Sequence, residues 1–202
     1  MFTGIIQHLG LFKGFYRGRR EIAVESPALV SQIQIGDSLA VNGVCLSLIK
    51  KQKDLLFFSL SEETLQKTNL GSLHQRDKLN LELPLTLSSP LGGHMVTGHV
   101  DARGKANKIQ KKKEGSRITV TFPPEIRRFL IPKGSVALNG VSLTIAELRS
   151  SFFEVELIPI TLKNSNLGEL KRGDEVNIEC DMIGKYVYNW LIEEKRYKKE
   201  KD

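Results

Sequence analysis

The chain repeats itself, and that limits what it can fold into more than any other feature. GDSLAVNGVCLSL at residues 36–48 returns as KGSVALNGVSLTI at 133–145, and TLQKTNLGSLHQRDKLNLE at 64–82 returns as TLKNSNLGELKRGDEVNIE at 161–179. Both pairs share an offset of 97, and the opening MFTGI returns at offset 94 as MVTGH from Met95. One long repeat present twice means two copies of a small domain; a solenoid needs shorter and more numerous units. In a chain of 202 residues each copy spans roughly 90 residues, enough for its own core. Ser-Ser-Pro and Gly-Gly within Ser88–Gly93 break the pattern. The expected limits are therefore 1–91, 92–182, and a remainder at 183–202 without a counterpart.

Within a copy, most segments read as short strands. Glu21–Val24, Ser38–Val41, Val44–Ile49, Leu55–Leu60 and Lys78–Leu83 alternate or run apolar and are rich in Val, Leu, Ile and Phe. Asn42-Gly43 and Asn139-Gly140 are hairpin signals, because a type I′ turn needs positive φ at both central residues. Lys51–Asp54 reads as a second turn, and Ser59-x-x-Glu62 as the cap of a short helix ending near Lys67. The second copy follows the same course through Ile118–Thr121, Ser135–Leu138, Val141–Ala146, Phe152–Ile158 and Glu175–Glu179. About six short strands at such spacing predict an all-β chain of two small antiparallel barrels, closure being the way to remove exposed edges. A sandwich is the alternative. From Ile183, the apolar residues Ile183, Val187, Trp190 and Leu191 form a helical stripe, suited to the second barrel or to an oligomer contact.

The net charge of +7 raises nucleic acid as a partner. The basic residues, however, gather at Arg17–Arg20 and Lys111–Lys113, where hairpin loops are expected, and in a tail interleaved with Glu193, Glu194, Glu200 and Asp202. They lack the aromatic interleaving of a single-strand platform, so solvated loops are the expectation. No apolar run approaches the ~20 residues of a membrane span, and Met1 lies inside the repeat rather than in a leader. Cys45 and Cys180 share no metal or redox spacing. The expectation is a reduced cytoplasmic protein without nucleic-acid or membrane partners.

Duplication implies two equivalent ligand positions, and matched residues (Thr3/Thr97, Gly4/Gly98, Ser38/Ser135, Thr64/Thr161) supply polar handles and close backbone approach. The copies then diverge. Phe2 corresponds to Val96, Ile5 to His99, Gly36 to Lys133, Cys45 to Ser142 and Ser47 to Thr144, and Gly-Gly-His94 precedes Met95. One copy carries an aromatic ring and a thiol, the other two histidines, a hydroxyl and a lysine. Imidazole exchanges protons near neutral pH, and a thiol or hydroxyl beside a base is a candidate nucleophile or relay. For His94 and His99 taken singly a structural role is the default, and their spacing makes no firm metal pair.

MFTGI, VNGVCLSL, ETLQKTNLG, GGHMVTGHVD, NGVSLT and NIECD…KY together resemble the riboflavin synthase family, α-chain type, over essentially the whole chain. The resemblance implies two six-stranded barrels and a C-terminal helix through which three chains assemble. It implies one 6,7-dimethyl-8-ribityllumazine per barrel, with the active site between the first barrel of one chain and the second of its neighbour. The implied reaction is a dismutation giving riboflavin and 5-amino-6-ribitylaminouracil, without metal or cofactor. Lumazine synthase is a further candidate partner.

Carried over, the first-barrel contacts are Gly4, Ile5 and Ile6; Cys45, Leu46 and Ser47; and Ser59, Leu60, Ser61, Glu62, Glu63 and Thr64. The second-barrel contacts are Gly98, His99 and Val100; Ser142, Leu143 and Thr144; and Glu156, Leu157, Ile158, Pro159, Ile160 and Thr161, with Lys133 reaching the neighbour's ligand. Phe2, Cys45, His99, Ser142, Thr144 and Asp181 are implied to affect turnover. Of these, His99 is expected to move protons, Ser142 or a bound water to attack, Cys45 to act as polar wall or relay, and Phe2 to shape the ring pocket. Two residues depart from the family pattern: Ile160, where a polar residue is common, and Ser47, where Thr is usual. The alternatives are a non-catalytic lumazine- or flavin-binding protein, and a flavin reductase barrel, which lacks a nicotinamide-binding domain here.

Overall fold

The computed structural model describes residues 1–199; the tail positions Glu200 and Asp202 of the charge argument lie outside them. The first copy contains β1 (His8–Tyr16), β2 (Glu21–Glu25), the short α1 (Pro27–Val30), β3 (Ser38–Val41), β4 (Val44–Gln52), β5 (Leu55–Ser59), α2 (Glu62–Lys67) and β6 (Lys78–Glu82). The second contains β7 (Ala102–Lys111), β8 (Ser116–Thr121), β9 (Ser135–Leu138), β10 (Val141–Leu148), β11 (Phe152–Leu157), α3 (Pro159–Asn164) and β12 (Glu175–Cys180), and α4 (Met182–Lys199) follows. Each set of six strands closes into an antiparallel barrel, in the orders β1-β2-β5-β4-β3-β6 and β10-β11-β8-β7-β12-β9. Bulges fall at matched places, Phe12/Gly14 with Ala106/Lys108 and Leu48/Lys50 with Ile145/Glu147. Such bulges bend strands sharply enough to close a small barrel.

Alternation fills each interior. In β4, Val44, Leu46 and Leu48 point inward beside Phe12, Ile22, Leu56, Phe58 and Leu79, while Cys45 and Ser47 point out. The second barrel repeats this with Val141, Leu143 and Ile145 inward and Ser142 and Thr144 outward. The interiors are packed cores, which leaves only the outer faces near these hairpins open to a ligand.

The sequence reading missed the opening strand of each copy. β7 reads ARGKANKIQK, with Ala102, Gly104 and Ala106 along its line and charged residues between them. β1 likewise carries Gly10 and Gly14. Small residues suit a crowded wall but carry little strand signal. The turn expected at Lys51–Asp54 begins later, since Lys51 and Gln52 still belong to β4. The helix cap is also corrected: Ser61, not Ser59, accepts the Thr64 N–H at 3.0 Å.

The two copies are locked together by exchange. The Phe2 N–H donates to the Val96 carbonyl at 2.7 Å and the Val96 N–H returns to Phe2 at 3.1 Å. Beyond this bridge, the leading segment of each copy lies along the other barrel. The Ser142 N–H donates to the Gly4 carbonyl at 2.8 Å, and the Cys45 N–H donates to the Gly98 carbonyl at 2.9 Å. Ile6 packs on the second core and Val100 on the first. Gly4 and Gly98 have φ of +76° and +82°, and a Cβ on either would sit 2.6 Å from Ser142 Cβ or 2.5 Å from Cys45 Cβ. Only glycine meets both conditions.

Elsewhere at the junction, six asparagines form a matched belt. Asn69 donates from its backbone to Asn177 Oδ1 at 2.7 Å, and Asn166 to Asn80 Oδ1 at 2.7 Å. The side chains of Asn177 and Asn80 reach the carbonyls of Asn42 and Asn139, each at 2.9 Å.

α4 rests on the second barrel through Tyr188, whose ring meets Phe129 edge-on at 5.4 Å. Its apolar stripe faces elsewhere: Ile183, Val187, Trp190 and Leu191 are 58, 53, 66 and 43% exposed. No helix among the described residues is long and apolar enough to cross a membrane.

Candidate functional site

The crossed segments redefine both sites. On the first barrel, the Cys45 N–H of β4 meets the Gly98 carbonyl and Val100 packs on the core, so the segment docked there is 98–100 and not 4–6 as sequence position suggests; Ser47 lies on the same strand and Ser59 ends β5. On the second, the Ser142 N–H of β10 meets the Gly4 carbonyl and Ile6 packs on the core; Thr144 lies on the same strand and Glu156 on β11. The reason lies in the hydrogen bonds: the outward hairpin amides at Cys45 and Ser142 take their acceptors from the other copy.

Leu46, Leu60, Leu143 and Leu157 belong to the packed interiors, so these residues offer a ligand backbone atoms rather than side chains. Phe2 is fully buried among Ala40, Val96 and Ala137, against Cys45, and is a wedge between copies rather than the wall of a ring pocket. His99 is exposed and follows Gly98, whose carbonyl takes the Cys45 N–H. The imidazole beside Ser142 is that of His94, whose Nδ1 lies 2.7 Å from Ser142 Oγ.

His94 is therefore a candidate that the sequence reading named but took as structural. Its backbone N–H donates to the Thr3 carbonyl at 3.1 Å. Gly93 makes room, since a Cβ there would lie 2.2 Å from the Thr3 carbonyl oxygen and 2.9 Å from Ser142 Oγ. Nε2 is buried and finds no hydrogen-bond partner among the described residues. Burial pushes the imidazole below its usual 6.5, and the Asp181 carboxylate draws it partly back. A neutral imidazole against a hydroxyl is arranged to take the hydroxyl proton. Asp181 itself is fixed at the start of α4, where it accepts the Ile183 N–H at 3.0 Å.

The acid limb of the turnover profile is accordingly expected below pH 6.5, and Asp181→Asn is expected to move it lower still by removing the anion that favours imidazolium. The sign for stability agrees. Below 6.5 the unfolded chain takes up this proton before the folded one, so His94 contributes a loss of stability as pH falls. A pH–rate profile with histidine NMR titration checks both.

The remaining positions differ between the sites. In the first, Ser61 and Thr64 hydroxyls lie 2.8 Å apart, while Glu62 and Glu63 are exposed on the first turn of α2. In the second, Pro159, Ile160 and Thr161 open α3 without a side-chain cap at Ile158. Exposed Glu156 is held as carboxylate by Lys112, with smaller help from Arg117 and Lys133. Cys180 is inert, its thiol pushed well up by burial and by Asp101, whereas Cys45 is free and half-buried. A cleft of about 840 Å³ lies at the asparagine belt, lined by Asn42, Asn69, Asn139 and Asn166, and its lining includes neither Cys45 nor Ser142.

Two barrels carrying matched outer-face sites define a duplicated binding domain, and the comparisons agree. The lumazine binding domain family matches residues 3–84 and again 97–181. The riboflavin synthase of Bacillus subtilis is 35% identical over 193 residues, covering 95% of this chain and 90% of that one. That of Mycobacterium bovis is 36% identical over 193 residues, covering 93 and 96%. The chain belongs to the riboflavin synthase family. Its fold is also that of LumP in a crystal structure with 6,7-dimethyl-8-(1'-D-ribityl) lumazine, with TM-score 0.81, 24% identity, and coverage of 89% of this chain and 98% of that one.

Proposed function

We propose that this chain is a riboflavin synthase that binds one 6,7-dimethyl-8-ribityllumazine on each barrel and transfers a four-carbon unit between them. Two substrate molecules give one riboflavin and one 5-amino-6-ribitylaminouracil, a balance that needs no added oxidant or reductant. The observation that carries this reading is the pair of matched but chemically unequal sites, thiol-bearing at Cys45 and Ser–His at Ser142 and His94. A reaction between two copies of one molecule needs like pockets with unlike roles. Orienting two rings against each other can contribute ~7–11 kcal/mol.

In this reading Ser142 Oγ, or a water it activates, attacks the acceptor while His94 Nδ1 takes the proton. His99 and Cys45 serve the opposite ring, with Thr144 and Lys133 at the rims. The limits 1–91, 92–182 and 183–202 remain the proposed units, and a reduced cytoplasmic setting is part of the same reading. Incubation with the lumazine in plain buffer with EDTA tests it. One riboflavin and one aminouracil per two lumazines supports the proposal; tight binding without turnover would make the chain a lumazine carrier.

A homotrimer through α4, with each reaction centre shared by neighbours, belongs to the proposal and is supported by the exposed stripe of that helix. Trp190→Glu is expected to give monomers by light scattering and to lower turnover about 10²-fold or more, because the two rings lose their common frame. Association with lumazine synthase is read out in the same light-scattering experiment.

A further inference from the structure

The crossed segments are held by two buried carboxylates that the reading above does not use. Glu82 Oε1 accepts the Thr3 N–H at 2.6 Å and the Thr3 hydroxyl at 2.7 Å, and Oε2 accepts the Gly4 N–H at 3.1 Å. Glu179 repeats this on Thr97, at 2.6 and 2.7 Å, and on Gly98 at 3.0 Å. The next amide in each segment turns back onto the same threonine, Ile5 N–H to Thr3 Oγ1 at 3.0 Å and His99 N–H to Thr97 Oγ1 at 3.3 Å. Three successive amides therefore depend on one carboxylate and the hydroxyl it fixes. The glycine carbonyl within this run, of Gly4 or Gly98, accepts from the other barrel, at Ser142 or at Cys45.

We propose that Glu82 and Glu179 are positioning residues that act across the duplication: Glu82, on the last strand of the first barrel, sets the second-barrel site, and Glu179, on the last strand of the second, sets the first-barrel site. Each carboxylate grips the glycine turn of its own copy, and that turn is one wall of the other copy's site. Both are nearly inaccessible, at 2 and 4% exposure. Burial raises both toward the neutral acid, opposed by the hydrogen bonds from the threonine and glycine. A carboxylate is needed because three donors converge on two oxygens. Glutamine keeps one acceptor but sets its NH₂ against the glycine N–H. This inference deepens the proposed function, since it assigns how that site is held, but its geometry does not depend on which ring is bound.

The test uses the full chain and the two reporters that the crossing separates. Cys45 alkylation by iodoacetamide, followed by peptide mapping, reports the first-barrel site, and buried Cys180 stays silent in the folded chain. The His94 imidazole resonance reports the second. Glu179→Gln is expected to speed Cys45 alkylation about tenfold, as the Gly98 wall opens, and to leave the His94 titration in place. Glu82→Gln is expected to do the reverse, shifting His94 while Cys45 reacts at the wild-type rate.

The proposal is overturned if each variant disturbs the site on its own barrel, if both variants disturb both sites alike, or if neither reporter moves. Should Glu179→Gln fail to fold, Thr97→Val removes the hydroxyl from the same clamp and is read by the same two reporters, with the same outcomes deciding. Neither reporter requires turnover. An absence of riboflavin formation would therefore count against the enzyme reading and leave this one standing.

Discussion

His94→Ala and Ser142→Ala are each expected to lower kcat about 10²–10⁴-fold, the range for losing a positioned proton-transfer group, with much smaller changes in KM. The two side chains act as one unit, Nδ1 lying 2.7 Å from Oγ. The double variant should therefore fall little below either single one, as happens when groups share one step. His99→Ala is the contrasting case, because His99 follows Gly98, whose carbonyl docks at Cys45 and not at Ser142. Its effect should multiply with that of Ser142→Ala. Steady-state kinetics of the three single variants and the two double variants decides the matter, and a multiplicative His94–Ser142 pair would remove the proton relay from the mechanism.

Asn177→Ala is expected to cost about 2–6 kcal/mol of stability, counting ~1–3 for each buried group left without its partner. Asn177 Nδ2 serves the Asn42 carbonyl and Asn69 Oδ1, both at 2.9 Å, and its Oδ1 accepts the Asn69 N–H at 2.7 Å. Removing it from the second copy leaves two groups of the first, the Asn42 carbonyl and the Asn69 N–H, without this partner, while Asn69 Oδ1 keeps Asn42 Nδ2 at 3.5 Å. The measurement is urea unfolding with ligand absent, read as a shift of midpoint at constant slope. Asn177→Asp should fare no better, since a carboxylate supplies no donor to the Asn42 carbonyl. Ser72→Ala, at the edge of the same belt, should change little. If Asn177→Ala matched Ser72→Ala, the belt would hold no part of the stability.

Most of the architecture was legible in the sequence. Alternation marked β3, β4 and β5 and their counterparts, because a half-buried wall imposes a period of two. Asn42-Gly43 and Asn139-Gly140 marked the hairpins, because few residues accept that turn. β1 and β7 escaped, because small residues on a crowded wall look like loop. Crossing was not legible: an offset of 94 aligns Gly4 with Gly98 but is silent on which barrel each one touches. His94 left a trace, a Gly-Gly-His before Met95, and the glycines are explained by the tight approach to Thr3 and Ser142. Judged alone, the histidine looked structural; the hydroxyl beside it comes from 48 residues further on. The belt left a stronger trace. Asn42, Asn69 and Asn80 recur at Asn139, Asn166 and Asn177, a retention of buried amides that turns alone do not require.

The Phe2–Val96 bridge and the crossed glycine segments also bear on why the two copies share one polypeptide. A single copy would leave the Cys45 or Ser142 amide without its acceptor and its own glycine turn with nowhere to dock. Two unlinked copies could satisfy each other only by meeting in solution, with occupancy set by their abundance. Joining them end to end makes that meeting intramolecular, at an effective concentration on the order of millimolar for a short tether. Fusion thus makes assembly independent of dilution. It also frees the two halves to drift apart chemically, because a histidine gained by one is no longer imposed on its mate.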